Sequence, residues 1–335
     1  MTIDLGEIPE RTRIAIVGSL NADLIAYQSA QPAGSDYNVG EGFELGVGGK
    51  GLNVAMSVAA TGVSPYLVGR LGNDIFGSLI RRALNKSHIH DDFVSTDGTR
   101  STGIGHVRVN AEKDYDTCVI AGANGGVDHV DIDRVLASGL AFSHLVIDFE
   151  IPLKTALYAV RAFRAQKAKV IVNFSPPLPG SRALLPYTDV LVVNEKEAYS
   201  LWFEVVGSDQ QLPASLWTII DTLRRTDGSY RSVVVTLGSR GVWGMSAHGE
   251  LRQLAAHPLD AVNAVGAGDS FLAMLVSSLA RGTSLLDSLY PAAAGGALAC
   301  SRRESWLNAN DGPRMHELIQ DKSILIPARS RKAQT

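Results

Sequence analysis

The chain has 335 residues, 45% of them hydrophobic and 19% charged, with 31 Lys and Arg against 34 Asp and Glu for a formal charge of -3. That length is ample for a buried core in one large domain or two, and the near-balanced charge gives no electrostatic reason to expect nucleic acid as a partner. Cys118 and Cys300 form neither a zinc spacing nor a disulfide framework, so a reducing, cytoplasmic location is expected.

The opening "MTIDLGEIPERTR" lacks a basic region followed by an apolar one and is read as carrying no signal peptide. No stretch reaches the roughly 18 apolar residues that span a bilayer, so no membrane partner is expected. "RIAIVGS" (13–19) predicts a buried strand. "VGSLNADLI" (17–25) puts Asn21 and Asp23 just past its carboxyl end, where open α/β sheets bind ligands. A carboxylate there suits sugar hydroxyls; an Asx-turn is the plainer alternative.

Residues 24–48 have no helical period. "GVGGKGLNVA" (46–55) then turns on glycines into a helix over 51–62. It is not a Walker A loop, because the order G-x-x-x-x-G-K-[ST] is absent. Lys50 and Asn53 fall on the helix's first turn and can hydrogen-bond a polyol; an ordinary exposed lysine is the alternative. A strand at 65–71 and a helix at 74–86 follow. "STGIGHVRVNAEKDYDTCVIAG" (101–122) reads as a hairpin with a polar turn near Glu112–Asp114. Both irregular stretches look like short strands with alternating faces. They predict a small β flap over the main sheet, of the kind that excludes water.

Strands at 144–148, 169–174, 189–194 and 232–238 come next, with helices near 153–166, 213–225, 267–280 and 285–300. The alternation argues for a doubly wound, mainly parallel α/β sheet. "VVNEKEA" (192–198) places Asn194 at a strand end and Glu197 one turn on. An amide and a carboxylate can hold hydrated Mg²⁺ near phosphates, although a helix cap with surface acids is the bland reading. "VVVTLGSRGVWG" (233–244) is strand, Gly turn and strand, whose backbone can approach a base or a ribose, or make a plain hairpin. In "NAVGAGDSF" (263–271), Gly266, Ala267 and Gly268 lead into Asp269 and a helix. Small residues let amides point into one cavity at the positive end of a helix, which suits phosphate or a developing anion. Asp269 at the lip can take a proton from a hydroxyl; a capping role is the alternative. The eight histidines show no metal spacing, so no structural metal is expected. The tail "ARSRKAQT" is expected to fray.

The order of these motifs along the chain says more than any one of them. "NAD", "GGKGLN", "GRLGNDIFG", "AGAN", "NEKE", "TLGSRG" and "GAGDSF", spread over about 13–305, resemble the ribokinase, or PfkB carbohydrate kinase, family. The resemblance implies a single α/β domain over 1–335 with a β lid from insertions at about 22–48 and 100–123. It implies MgATP-dependent transfer to a primary alcohol of a small sugar, D-ribose first. Other members of the family act on fructose, nucleosides or sugar phosphates. Asp269 falls at the family's catalytic base, and Gly266, Ala267 and Gly268 at its anion hole. Asn21, Asp23, Gly49, Lys50, Asn53 and Glu150 match sugar contacts. Asn194, with Thr236, Leu237, Gly238, Ser239, Arg240 and Gly241, matches the nucleotide side, where Gly268 also belongs. Asn194 and Glu197 match the pattern that organises Mg²⁺, through water. The lid's strand edges point to a homodimer.

Two departures stand out. The last motif opens Asn263-Ala264 where ribokinases usually carry Asp-Thr, and "SRRESW" puts Glu304 and Ser305 where a small pair is usual. Both fall on the family's monovalent cation site, so K⁺ activation is not expected. Asp23 would repel a substrate phosphate, which favours a neutral sugar.

Overall fold

The computed structural model describes residues 2–28, 39–110, 115–213, 215–302 and 304–327. The expected polar turn near Glu112–Asp114, the middle of the first flap segment (29–38) and the expected frayed tail (328–335) lie outside the described residues.

Strand β1 (Ile14–Val17) is buried throughout. Ile14 and Ile16 join one core, Ala15 and Val17 the other. This is the period-2 pattern of a strand covered on both faces. The chain leaves the main sheet for β2 (Asn21–Gln28) and β3 (Gly40–Gly48) and returns through α1 (Lys50–Ala59), β4 (Tyr66–Gly72), α2 (Ile75–Leu84) and β5 (His90–Asp97). It leaves again for β6 (Gly103–Val109) and β7 (Tyr115–Ile120). Then come α3 (His129–Ala137), β8 (His144–Ile147), α4 (Leu153–Ala165), β9 (Lys169–Asn173), β10 (Val190–Asn194), α5 (Glu195–Val206), α6 (Leu216–Arg225) and β11 (Ser232–Thr236). The last part holds β12 (Val242–Met245), β13 (Leu251–Leu254), α7 (Ala267–Ala280), α8 (Leu285–Cys300), α9 (Gly312–Gln320) and β14 (Leu325–Ile326).

The main sheet runs β14-β13-β12-β11-β10-β9-β8-β1-β4-β5 among the described residues. Every neighbouring pair from β11 to β5 is parallel, and β12 to β14 add an antiparallel edge. Helices α1, α2, α7, α8 and α9 cover one face, and α3 to α6 the other. The chain goes from β1 to β4 on one side and later returns to place β8 on the other. The exits of β1 and β8 therefore form the topological switch point, where such sheets open a crevice.

The second sheet runs β3-β2-β6-β7. Two antiparallel hairpins are joined through a parallel β2–β6 pair. Asp23 stands opposite Gly46 on β3 and Gly105 on β6. Asn21 and Asp23 are thus strand residues, not an Asx-turn. Three helix bounds differ from expectation by two residues or more. Helix α2, expected to 86, ends at Leu84. Helix α1 stops at Ala59, before the glycine at 62. Helix α6 starts at Leu216, because the Ser215 hydroxyl caps it by accepting from Trp217 N.

Candidate active site

A cavity of about 460 Å³ lies between the second sheet and the carboxyl ends of the main strands. Asn21, Asp23, Gly105, Val107, Thr117 and Val119 line it from the second sheet. Gly49, Lys50 and Asn53 line it from the start of α1, and Glu150 from the segment after β8. Asn194, Glu197 and Thr236 line the far side, with Gly266, Gly268 and Asp269 between. Ala267, Leu237, Gly238, Ser239, Arg240 and Gly241 do not line it. Arg240 instead forms an ion pair with Glu195 at the head of α5.

Lys50 reaches the cavity because the chain turns tightly before it. Gly49 has φ 94°, and a Cβ there would sit 2.7 Å from the Ser19 carbonyl oxygen. Only glycine meets both demands. Lys50 Nζ lies 3.8 Å from Glu150 Oε1. Burial alone would lower the lysine, but the carboxylates of Asp269, Glu150, Asp148 and Glu197 hold it up at about 12. Lys50 is the positive centre of an acidic group, not an ordinary exposed lysine. Burial, with the charges of Glu150 and Asp269 added, pushes the Asp23 carboxyl up to about 7.

Asp269 sits in the first turn of α7. It does not cap the helix: Gly266 holds that position at φ 77° without a side-chain bond. A Cβ on Gly266 would stand 1.9 Å from the Ser305 carbonyl oxygen, so this turn also requires glycine. Asp269 is buried and accepts from Asn53 Nδ2 at 2.8 Å. Burial raises its pKa, against the pull of Lys50 and the Asn53 bond. The Asn53 Oδ1 atom is buried without a hydrogen-bond partner among the described residues. A buried amide oxygen left in that state calls for a donor, and Asn53 lines the cavity.

Asn194 and Glu197 do make a capping box on α5. Glu197 N donates to Asn194 Oδ1 at 2.9 Å, and Asn194 N to Glu197 Oε2 at 2.7 Å. The capping alternative holds for this pair, yet Glu197 is not a surface acid. It is buried, it faces the cavity, and the Ser175 hydroxyl bonds it. Burial raises its pKa over the opposing bonds from Asn194 and Ser175.

The two departures lie close together. Val262 N and Asn263 N both donate to the Cys300 carbonyl, at 2.7 and 3.0 Å, and Ser305 abuts Gly266. Asn263 Oδ1 accepts from Val265 N at 3.0 Å, and Glu304 pairs with Arg302 at 3.3 Å.

Several residues at the site are not singled out by the sequence. Asn124 donates to Asn21 Oδ1 at 2.7 Å and accepts from Leu20 N at 2.9 Å, fixing Asn21 from outside the cavity. Ser19 Oγ donates to Glu150 Oε2 at 2.6 Å and accepts from Lys50 N at 2.9 Å. Asp148, Asn173 and Ser175 stand nearby on the strand exits. The "AGAN" string does hold Asn124, and position within that motif was the one available cue.

A doubly wound sheet under a small second sheet, with an acid-lined cavity at a helix N-terminus, defines a lidded α/β enzyme. The chain belongs to the pfkB family of carbohydrate kinases, whose family model matches residues 11–309. It is 31% identical over 300 residues to the ribokinase of Schizosaccharomyces pombe, covering 87% of this chain and 92% of the relative. It is 28% identical over 263 residues to the deoxyribokinase of Salmonella typhi, covering 77% and 83%. In fold it resembles the Arabidopsis thaliana ribokinase solved with ribose and ATP, with a TM-score of 0.78, 24% identity and coverage of 92% and 99%.

Proposed function

We propose that this carbohydrate kinase transfers the γ-phosphoryl group of ATP to a primary hydroxyl of D-ribose. The observation that carries the reading is Asp269: a buried carboxylate in the first turn of α7, tied to Asn53 and open to a cavity lined by Asn21, Asp23, Lys50 and Glu150. Those four supply donors and acceptors suited to a polyol. The sugar hydroxyl oxygen attacks the γ-phosphorus, the bond to the β–γ bridging oxygen breaks, ADP leaves with that electron pair, and the hydroxyl proton passes to Asp269. The hydroxyl becomes acidic as its bond to phosphorus forms, so a carboxylate can accept the proton late. Positioning and charge neutralisation supply most of the catalysis in such transfers. The amides of Gly266, Ala267 and Gly268 would receive charge from the transferred group. Thr236 to Gly241 and Asn194 would take the nucleotide.

Oxygen donors suit Mg²⁺, and the buried, cavity-facing Glu197 carboxylate beside Asn194 fits it. Those two residues would hold the ion through water, and when bound it neutralises phosphate charge. The excess of carboxylates over Lys50 disfavours a sugar phosphate as acceptor. The outward face of the second sheet carries exposed Phe43, Leu45 and Ile120, which supports a homodimer through that face, read out by sedimentation. A cytoplasmic site of action is consistent with the two cysteines being free.

The deciding experiment is a panel of D-ribose, 2-deoxyribose, fructose, nucleosides and sugar phosphates with coupled ADP detection. D-ribose is expected to give the highest kcat/KM. A higher value for 2-deoxyribose or a sugar phosphate would replace the substrate, and sugar and ATP binding without ADP release would overturn the kinase reading.

A further inference from the structure

Asp148 follows β8 immediately, at the junction with β1, where Val17 stands opposite Ile147. It is buried and is not among the cavity-lining residues. Its Oδ1 accepts from Glu150 N at 2.8 Å, and its Oδ2 from Ser19 N at 3.4 Å. A Cβ at Gly18 would come within 2.0 Å of Oδ2, so the carboxyl fills the space a side chain at 18 would need. The carboxyl therefore bridges the exits of two neighbouring strands at the switch point.

What it bridges is the frame of the sugar side. Ser19 Oγ binds both Glu150 Oε2 and the Lys50 amide, at 2.6 and 2.9 Å. Glu150 in turn receives Asn21 Nδ2 at 3.4 Å and faces Lys50 Nζ at 3.8 Å. A shift of Ser19 against Glu150 would move all of these together. Placing a carboxylate there is costly, since burial and then the neighbouring Glu150 raise its pKa, with Lys50 opposing and Asp269 adding to the rise. Backbone N–H bonds recover part of that cost. A merely space-filling group would be apolar.

We propose that Asp148 is a positioning residue that fixes Ser19 and Glu150 relative to each other, and through them the sugar-binding orientation of Glu150. The inference rests on the ribose-kinase reading above. Asp148→Ala is expected to raise the sugar KM by ~10- to ~100-fold, as loss of binding that is equal in the ground and transition states, while kcat and the KM for ATP stay unchanged. Asp148→Asn keeps the acceptor for Glu150 N and should recover most of the loss. In a Glu150→Ala background, Asp148→Ala should add nothing, because the residue acts through Glu150. Should Asp148→Ala fail to fold, the cycle is run with Asp148→Ser, whose side chain is too short to accept from both Glu150 N and Ser19 N. Additive effects with Glu150→Ala, or an equal loss in kcat and in the KM for ATP, overturn the proposal alone. A wild-type chain that neither binds nor phosphorylates any sugar overturns the kinase reading and this proposal with it.

Discussion

Asn53 and Asp269 are 216 residues apart and meet in one buried hydrogen bond of 2.8 Å. It ties the first turns of α1 and α7, two of the helices whose N-termini reach the cavity. The bond favours the ionised form of Asp269, against burial. Asn53→Ala removes that help, so the Asp269 pKa rises. The acid limb of the kcat profile should move to higher pH, with the activity loss larger at pH 6 than at pH 9. Stopped assays across that range check it, and a uniform loss at every pH would contradict it.

Asp269→Asn keeps the shape of the side chain and abolishes proton acceptance. We expect kcat to fall by ~10² to ~10⁴-fold, the usual contribution of a general base, with ATP affinity preserved in calorimetry. Undiminished kcat would remove Asp269 from the mechanism.

The Asp23 carboxyl has its pKa raised by burial first, to about 7 from 3.8. The folded chain therefore holds a proton there that the unfolded chain has lost. Stability from this group declines as pH rises from about 4 to about 7 and is gone above that window. Asp23→Asn imitates the protonated form at every pH. Its Tm advantage over wild type in the absence of sugar should grow between pH 5 and 8 and reach a few degrees. Sugar affinity should move the other way: wild type should bind more tightly as Asp23 ionises, and the variant should lose that trend. Thermal melts and sugar titrations at matched pH test both arms.

Glycines beside Asp23 separate a steric demand from a tolerated site. A Cβ at Gly105 would stand 2.6 Å from Asp23 Oδ1, whereas one at Gly46 meets nothing within 4 Å. Gly105→Ala should raise the sugar KM by ~10- to ~100-fold through misplacement of the carboxylate. Gly46→Ala, on the strand at the other side of Asp23, should leave it unchanged. Equal effects from the two variants would show that the space around Asp23 is not what matters.

Where 262–266 approaches Cys300 and Ser305, Asn263 Oδ1 accepts a backbone N–H and Glu304 is paired with Arg302. Activity in K⁺ and in a large inert cation at equal ionic strength is therefore expected to match. Strong stimulation by K⁺ would show that this pair of loops still takes a cation.

Much of the architecture was legible because buried parallel strands write themselves as short apolar runs, and "IAIV" and "VLVV" each became one. Asp269, Lys50 and Asn53 were legible because glycines that permit close backbone approach sit beside them in sequence. Asp148 and Ser19 were not. Each is an unremarkable polar residue until β1 and β8 lie side by side, and no local spacing reports that adjacency. The nucleotide-side string was readable as a turn, but its tail, Leu237 to Gly241, falls outside the cavity lining, where the Glu195–Arg240 pair holds it.

Strands β2 and β6 run parallel with Asp23 opposite Gly105 and Leu24 opposite His106. Side chains alternate faces along a strand, so a slip of one residue turns every one of them over. A single inserted residue ahead of Asp23 in β2 would aim the carboxylate away from the cavity and turn Leu24 into it, with no amino acid replaced. On the proposed reading of Asp23, the choice of ligand is written in the pairing of two strands as much as in the identity of any side chain.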